Sequence, residues 1–208
     1  MTEELSVFLA ATIGFAHAFE ADHLVAVGNL VTRRDRINLA MKDGVYWGLG
    51  HSSTIMLIGM AVILGQAAIS ETAFGYLEAV VGLMLVGLGI RRLLQIYRRK
   101  DVQDTQVDDS RTHGLAYGVG LVHGLAGSGA LIILVLANVE GTWEGLLYLL
   151  IFGLSSAIGM LVAAGALSLP FSRWLLSQGS LQLILIILSS ALCIGYGGYV
   201  LLDNLIVL

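Results

Sequence analysis

Six stretches of the 208-residue chain are almost wholly apolar, at residues 6–30, 44–66, 75–96, 114–137, 145–168 and 180–202. A bilayer-spanning helix needs about 20 such residues, because within hydrocarbon every peptide group must find its hydrogen-bond partner inside the segment. The six runs take up nearly the whole chain, so the sequence describes an all-α integral membrane protein with a single membrane domain, residues 1–208. Composition agrees: charged residues make up 12% of the chain and mean hydropathy is +0.85, where soluble proteins carry roughly a quarter charged residues. A nucleic-acid partner is not expected; the lipid bilayer is. The one cysteine, Cys193, excludes an intramolecular disulfide and any thiolate-rich metal site.

The basic residues set an orientation. Arg33, Arg34, Arg36 and Lys42 lie between the first and second runs, and Arg91, Arg92, Arg98, Arg99, Lys100 and Arg111 between the third and fourth. Arg173 lies between the last two, which completes all eleven Lys and Arg of the chain. The other face carries Glu3, Glu4, Glu71, Glu140, Glu144 and Asp203. By the positive-inside rule this is a multi-pass protein of the cytoplasmic (inner) membrane with both termini extracytoplasmic. The opening residues MTEELS lack the basic flank and cleavage pattern of a signal peptide, so the first helix is expected to remain in the mature protein.

The halves echo each other. Shifting the chain by 106 residues sets Gly14-Phe15-Ala16-His17 on Gly120-Leu121-Val122-His123, and a shift of 103 sets Gly50–Ile55 on Gly153–Ile158 with Ser52 and Ser53 on Ser155 and Ser156. Residues 1–100 are thus read as one three-helix repeat, 101–112 as a cytoplasmic loop and 113–208 as the second repeat. Units with an odd number of crossings must lie in opposite orientations, the inverted-repeat plan of many secondary transporters. The pairs Gly44-xxx-Gly48, Gly114-xxx-Gly118 and Gly120-xxx-Gly124 suit close helix contacts, within one chain or in a homo-oligomer.

Within the first apolar run stands HAFEADH: His17, Glu20, Asp22 and His23 in seven residues. One Asp at a helix centre costs on the order of 2.5–3.5 kcal/mol on insertion, so these groups need partners or a polar cavity. Similar depths in other runs hold His51, Ser52, Ser53, Thr54, His123, Ser128, Ser155 and Ser156. On a straight helix His17, Glu20 and His23 share a face while Asp22 points away from it. Asp22 therefore either orients an imidazole, or the helix is distorted so that all four converge. A lone buried histidine ordinarily ties helices together. Two imidazoles with adjacent carboxylates, a third at His51 and no thiolate point instead to a borderline divalent ion such as nickel, cobalt or zinc, with iron not separated from them by these ligands. The candidate ligands are His17, Asp22, His23 and His51, with Glu20, Ser52, Ser53, His123 and Ser128 in supporting places.

HAFEADH followed by LVAVGNLV, GLGHSSTI in the second run, GLVHGLAGSGAL in the fourth and LLIFGLSSAIGM in the fifth together resemble the nickel/cobalt transporter family, most closely its small UreH-like, urease-accessory branch. The resemblance implies a LysE-superfamily-like fold and movement of nickel or cobalt across the cytoplasmic membrane, in the direction of uptake. It also implies that His17, Asp22 and His23 form the selectivity signature, with His51 as the second helix's histidine. No catalytic residue and no prosthetic group are implied; the metal is cargo. The longer family members begin with a helix before the signature, which here lies in the first run. DVQDTQVDDSRTH stands where related exporters have a histidine-rich loop; with Asp101, Asp104, Asp108, Asp109 and His113 it reads as a solvated linker.

Other classes fit less well. His17-xxxx-Asp22 matches an acyltransferase pair but lacks the soluble substrate-binding fold that chemistry needs. Ala126–Gly129 resembles a rhomboid serine motif, yet residues 180–202 contain no histidine partner. A cytochrome c biogenesis-type protein has a similar layout and works through a cysteine pair that Cys193 alone does not supply. A LysE-like exporter of a non-metal small molecule fits the fold and leaves HAFEADH unexplained.

Overall fold

A computed structural model describes residues 3–65, 70–98, 109–138, 141–171 and 179–206, the side chains of 3–6, 71, 109, 127–138 and 179 excepted. Every regular element among them is helical. The first apolar run is broken: α1 spans Glu3–His17, residues 18–20 form a turn, and α2 spans Ala21–Val31. At 1.5 Å per residue α1 is about 22 Å long and α2 about 16 Å, and neither alone matches a hydrocarbon core of about 30 Å. The other runs are continuous helices: α3 (Ile37–Gly65), α4 (Glu71–Arg98), α5 (Asp109–Asn138), α6 (Thr142–Ser168) and α7 (Gly179–Ile206), with one 3₁₀ turn, Leu169–Phe171, after α6. Of these, α3, α4, α6 and α7 are long and apolar enough to cross a membrane. The protein is an all-α membrane protein. Leu57, Leu83, Leu154, Ile158, Leu192 and Leu202 stand out on its exposed surface, as on a lipid-facing one.

α3 lies at the centre, packed along α5 and α6; α1 packs on α6, and α4 on α7. Smaller contacts join α5 to α4 and α2 to α7. Exchanging the first three apolar runs for the last three maps these neighbours onto one another, while a smaller α2–α4 contact has no counterpart of its size between α5 and α7 among the described residues. The glycines repeat the correspondence. A Cβ on Gly14 would strike the Phe152 carbonyl of α6, and one on Gly120 the Trp47 carbonyl of α3. A Cβ on Gly159 would meet Ala18, and one on Gly124 would meet Thr54. Gly44 and Gly48 likewise lie against Met160 and Ala157, so two of the three Gly-xxx-Gly pairs serve contacts inside the chain. The third, Gly114 and Gly118, faces open space. At the α4–α7 crossing a Cβ on Gly82 would stand 2.7 Å from the Gly197 carbonyl and one on Gly197 2.6 Å from that of Gly82, a backbone approach that only glycine on both sides permits.

The end of the bundle where the basic residues gather is held by side chains that bond across elements. Asp43, fully buried near the start of α3, accepts from Arg34 in the α2–α3 connection (Nε to Oδ2, 2.5 Å; Nη2 to Oδ1, 2.9 Å). The same carboxylate accepts from His113 Nδ1 of α5 at 2.6 Å, and Tyr46 stacks on that imidazole with centroids 4.8 Å apart. His113 is therefore a structural tie at the start of α5 and not part of a solvated linker; residues 101–108 of that linker lie outside the described residues. Arg33 donates to Gln95 Oε1 at 2.8 Å, and Arg92 to the Thr32 carbonyl at 2.7 Å, joining the end of α2 to α4.

Candidate metal site

The break between α1 and α2 follows from the residues around it. An unbroken helix would bury both carboxylates in apolar surroundings and splay Asp22 away from the imidazoles. The turn instead closes with short bonds, Phe19 N–H to the Ala16 carbonyl (2.9 Å) and Glu20 N–H to the His17 carbonyl (3.1 Å). Glu20 then takes an extended conformation (φ −65°, ψ 156°) and α2 restarts with Leu24 N–H on the Glu20 carbonyl. The cut exposes two helix ends at one level. His17 sits in the last turn of α1 and Asp22 in the first turn of α2, where the helix dipole is positive and suits a carboxylate.

The four residues now converge. His17 Nδ1 lies 3.0 Å from Glu20 Oε1, with Glu20 largely exposed. Asp22 Oδ1 accepts from His23 Nδ1 at 2.9 Å and from the His23 backbone N–H at 2.8 Å, while Asp22 Oδ2 accepts from His123 Nε2 of α5 at 2.9 Å. Each of the two ring contacts with Asp22 fixes a tautomer, since a neutral imidazole that donates through one nitrogen keeps its lone pair on the other. The lone pairs then fall on His23 Nε2 and His123 Nδ1, which like His17 Nε2 are buried without a hydrogen-bond partner. His51, halfway along α3 and fully buried, has neither ring nitrogen bonded.

The imidazoles cluster around His23. Ring centroids lie 4.5 Å from His23 to His17, 5.1 Å to His51 and 4.3 Å to His123, with His17 and His51 5.2 Å apart. One donor nitrogen from each of His17, His23 and His51 lies within 4.8 Å of the other two. A cation at the centre of such a triangle is about 2.8 Å or less from every nitrogen, so a contraction of well under 1 Å brings it to the roughly 2.0–2.1 Å of a metal–imidazole bond. Carboxylates behind two of the rings complete the histidine–carboxylate pattern that orients metal ligands and raises their basicity. Asp22, His23 and His123 form a second group with donor atoms equally close.

Of the other candidates, Ser52 and Ser53 turn away: Ser52 donates to the Gly153 carbonyl of α6 at 2.7 Å and Ser53 to the Leu49 carbonyl of its own helix at 2.7 Å. The side chain of Ser128 lies outside the described residues. Ser156, by contrast, is fully buried with its hydroxyl unpartnered. Two aromatic walls escaped the reading of the sequence. Trp47 sits 5.6 Å from both His23 and His123, and Phe152 sits 5.4 Å from His17. Trp47 was legible in principle, one turn before His51 on the same face of α3.

The chain is 35% identical over 174 residues to the urease accessory protein UreH of Bacillus sp. (strain TB-90), a match covering 79% of this chain and 76% of that one. It is 29% identical over 122 residues to the nickel transporter NixA of Staphylococcus aureus (48% of this chain, 35% of the relative). With the cobalt transport protein NhlF of Rhodococcus rhodochrous it shares 30% identity over 79 residues (36% and 22%). No protein-family model matches the chain. No solved structure matches it either.

Proposed function

The chain belongs to the nickel/cobalt transporter family, in the branch of the urease accessory protein UreH, and from that premise we propose that it carries a divalent transition-metal cation across the cytoplasmic membrane. Nickel or cobalt is the cargo, and uptake the direction. The observation that carries this reading is the group of unpartnered imidazole nitrogens of His17, His23 and His51, buried where one apolar run breaks between two others. Buried polar atoms without partners are rare in proteins and call for a ligand. Three nitrogens without thiolate suit these borderline ions, bind them less tightly than a cysteine site would, and so let them leave again.

The chain crosses the membrane six times, with α1 and α2 together making the first crossing. Residues 1–100 and 113–208 are inverted repeats joined by a cytoplasmic loop at 101–112, and both termini are extracytoplasmic. The matching helix neighbours of the two halves support the repeat, and the gathering of Arg33, Arg34, Arg92 and Lys42 near one end supports the orientation. The exposed Glu20 carboxylate receives the ion and passes it to His17, whose ring it already holds. Asp22 remains behind His23 and offsets part of the cation's charge in a low-dielectric interior. Release follows when the two halves shift against each other.

Uptake of labelled nickel and cobalt into cells lacking their own uptake systems tests the reading. Wild type is expected to accumulate metal, and His17→Ala, His23→Ala and His51→Ala to fall at least about tenfold, the low end of what losing a metal-site residue does. Accumulation by the three variants equal to wild type would remove the site.

A further inference from the structure

His23 has close imidazole neighbours on two sides, and they come from different halves of the chain. His17, 4.5 Å away by ring centroid, ends α1; His123, 4.3 Å away, lies midway along α5. The two are 106 residues apart, the repeat-related positions of Gly-Phe-Ala-His and Gly-Leu-Val-His. Asp22 touches only the His123 side, bridging the Nδ1 of His23 and the Nε2 of His123 with one oxygen each, at 2.9 Å in both cases. His51 leans the other way: its ring is 5.2 Å from His17 and 6.4 Å from His123.

We propose that Asp22, His23 and His123 are a second metal station, distinct from the station of His17, His23 and His51, and that His23 is the ligand shared between them. The inference rests on the transporter reading above and deepens it. The second group offers two nitrogens and one carboxylate oxygen within 4.8 Å of one another, a donor set for the same borderline divalent ions. A neutral imidazole has one lone-pair nitrogen, so His23 serves one station at a time: Nδ1, against Asp22, serves the second, and the buried, unpartnered Nε2 is left for the first. As the ion engages Nδ1 the proton there is displaced, and Nε2, vacated by the ion, takes up a proton in turn. His123 likewise gives up its Nε2 proton and takes one on Nδ1, now unpartnered. Occupancy of the stations is mutually exclusive, which makes the passage a hand-off from ligands of the first half (His17, His51) to a ligand of the second (His123). A relative movement of the repeats then changes which set is complete, while α2 carries the ligand common to both.

Cobalt binding to the purified, detergent-solubilised full chain tests this, with size-exclusion profiles confirming that each variant folds. In the His17→Ala/His51→Ala double variant the first station is gone, and weaker cobalt binding, reduced about 10- to 100-fold, should persist at the second. Adding His123→Gln, whose amide still donates to Asp22, should reduce that residual binding at least about tenfold further. His123→Gln alone should move cobalt into proteoliposomes at least about tenfold more slowly than wild type, because the onward step is lost. A double variant that binds no cobalt, or whose binding is indifferent to His123→Gln, overturns the second station and leaves the transporter reading standing. A wild type that binds no cobalt overturns both.

Discussion

Replacing Asp43 with leucine removes the carboxylate that Arg34 and His113 share. Both members of the pair are inside the protein, Arg34 at 4% exposure and Asp43 at 0%, with contacts of 2.5, 2.9 and 2.6 Å converging on one carboxylate. Two unit charges about 3 Å apart attract by roughly 5–6 kcal/mol at an effective dielectric near 20, and most of that offsets the desolvation of the pair. With the carboxylate gone the buried Arg34 charge loses the two bonds it makes to Asp43, a defect of up to about 3–5 kcal/mol. For a chain of this size that lowers the melting temperature by up to roughly 6–20 °C. Scanning fluorimetry in detergent reads the loss. The double variant Arg34→Met/Asp43→Leu removes both charges and should recover most of the stability, since apolar replacement of a whole buried pair is commonly near neutral. A single variant as stable as wild type, or a double variant no better than the single, would refute the claim that this contact ties the α2–α3 connection to α5.

Metal binding should weaken in acid, because only the neutral ring coordinates; cobalt titrations at stepped pH check the sign, and binding that strengthens in acid contradicts it. Gly120→Leu should abolish accumulation of folded protein, since its side chain would meet the Trp47 main chain, which no rotamer change moves aside; normal membrane levels would argue against the crossing described. Glu20→Gln should slow uptake while leaving cobalt affinity within about tenfold, as Glu20 touches only the outer nitrogen of His17; an affinity loss as large as that of His23→Ala would make Glu20 a direct ligand.

The apolar runs predicted the helices well, because burial in hydrocarbon demands length and composition that can be counted. They did not predict the break in the first of them. LAATIGFAHAFEADHLVAV contains no proline, and the cut comes from the joint demand of two carboxylates and two imidazoles for partners, which a straight-helix projection leaves unmet. The projection did pose the right alternative for Asp22, and both halves of it occur: the helix is interrupted, and Asp22 orients imidazoles. His51 and His123 were legible as histidines at matching depth. Asp43 was not singled out, since a lone acid near the start of a run looks like a solvated boundary residue until Arg34 and His113 are seen to enclose it. Ser52 and Ser53, polar and beside His51, were expected near the ion and serve helix packing instead, because the α3 face that carries them meets α6 and the helix's own carbonyls.

X-ray absorption at the cobalt edge, on the loaded full-length protein, addresses the central claim most directly. Three imidazole nitrogens at roughly 2.0–2.1 Å are expected for wild type, with one imidazole fewer in His51→Ala and in His17→Ala. A spectrum of oxygen ligands alone, or one unchanged by either substitution, would mean that these buried rings do not hold the ion.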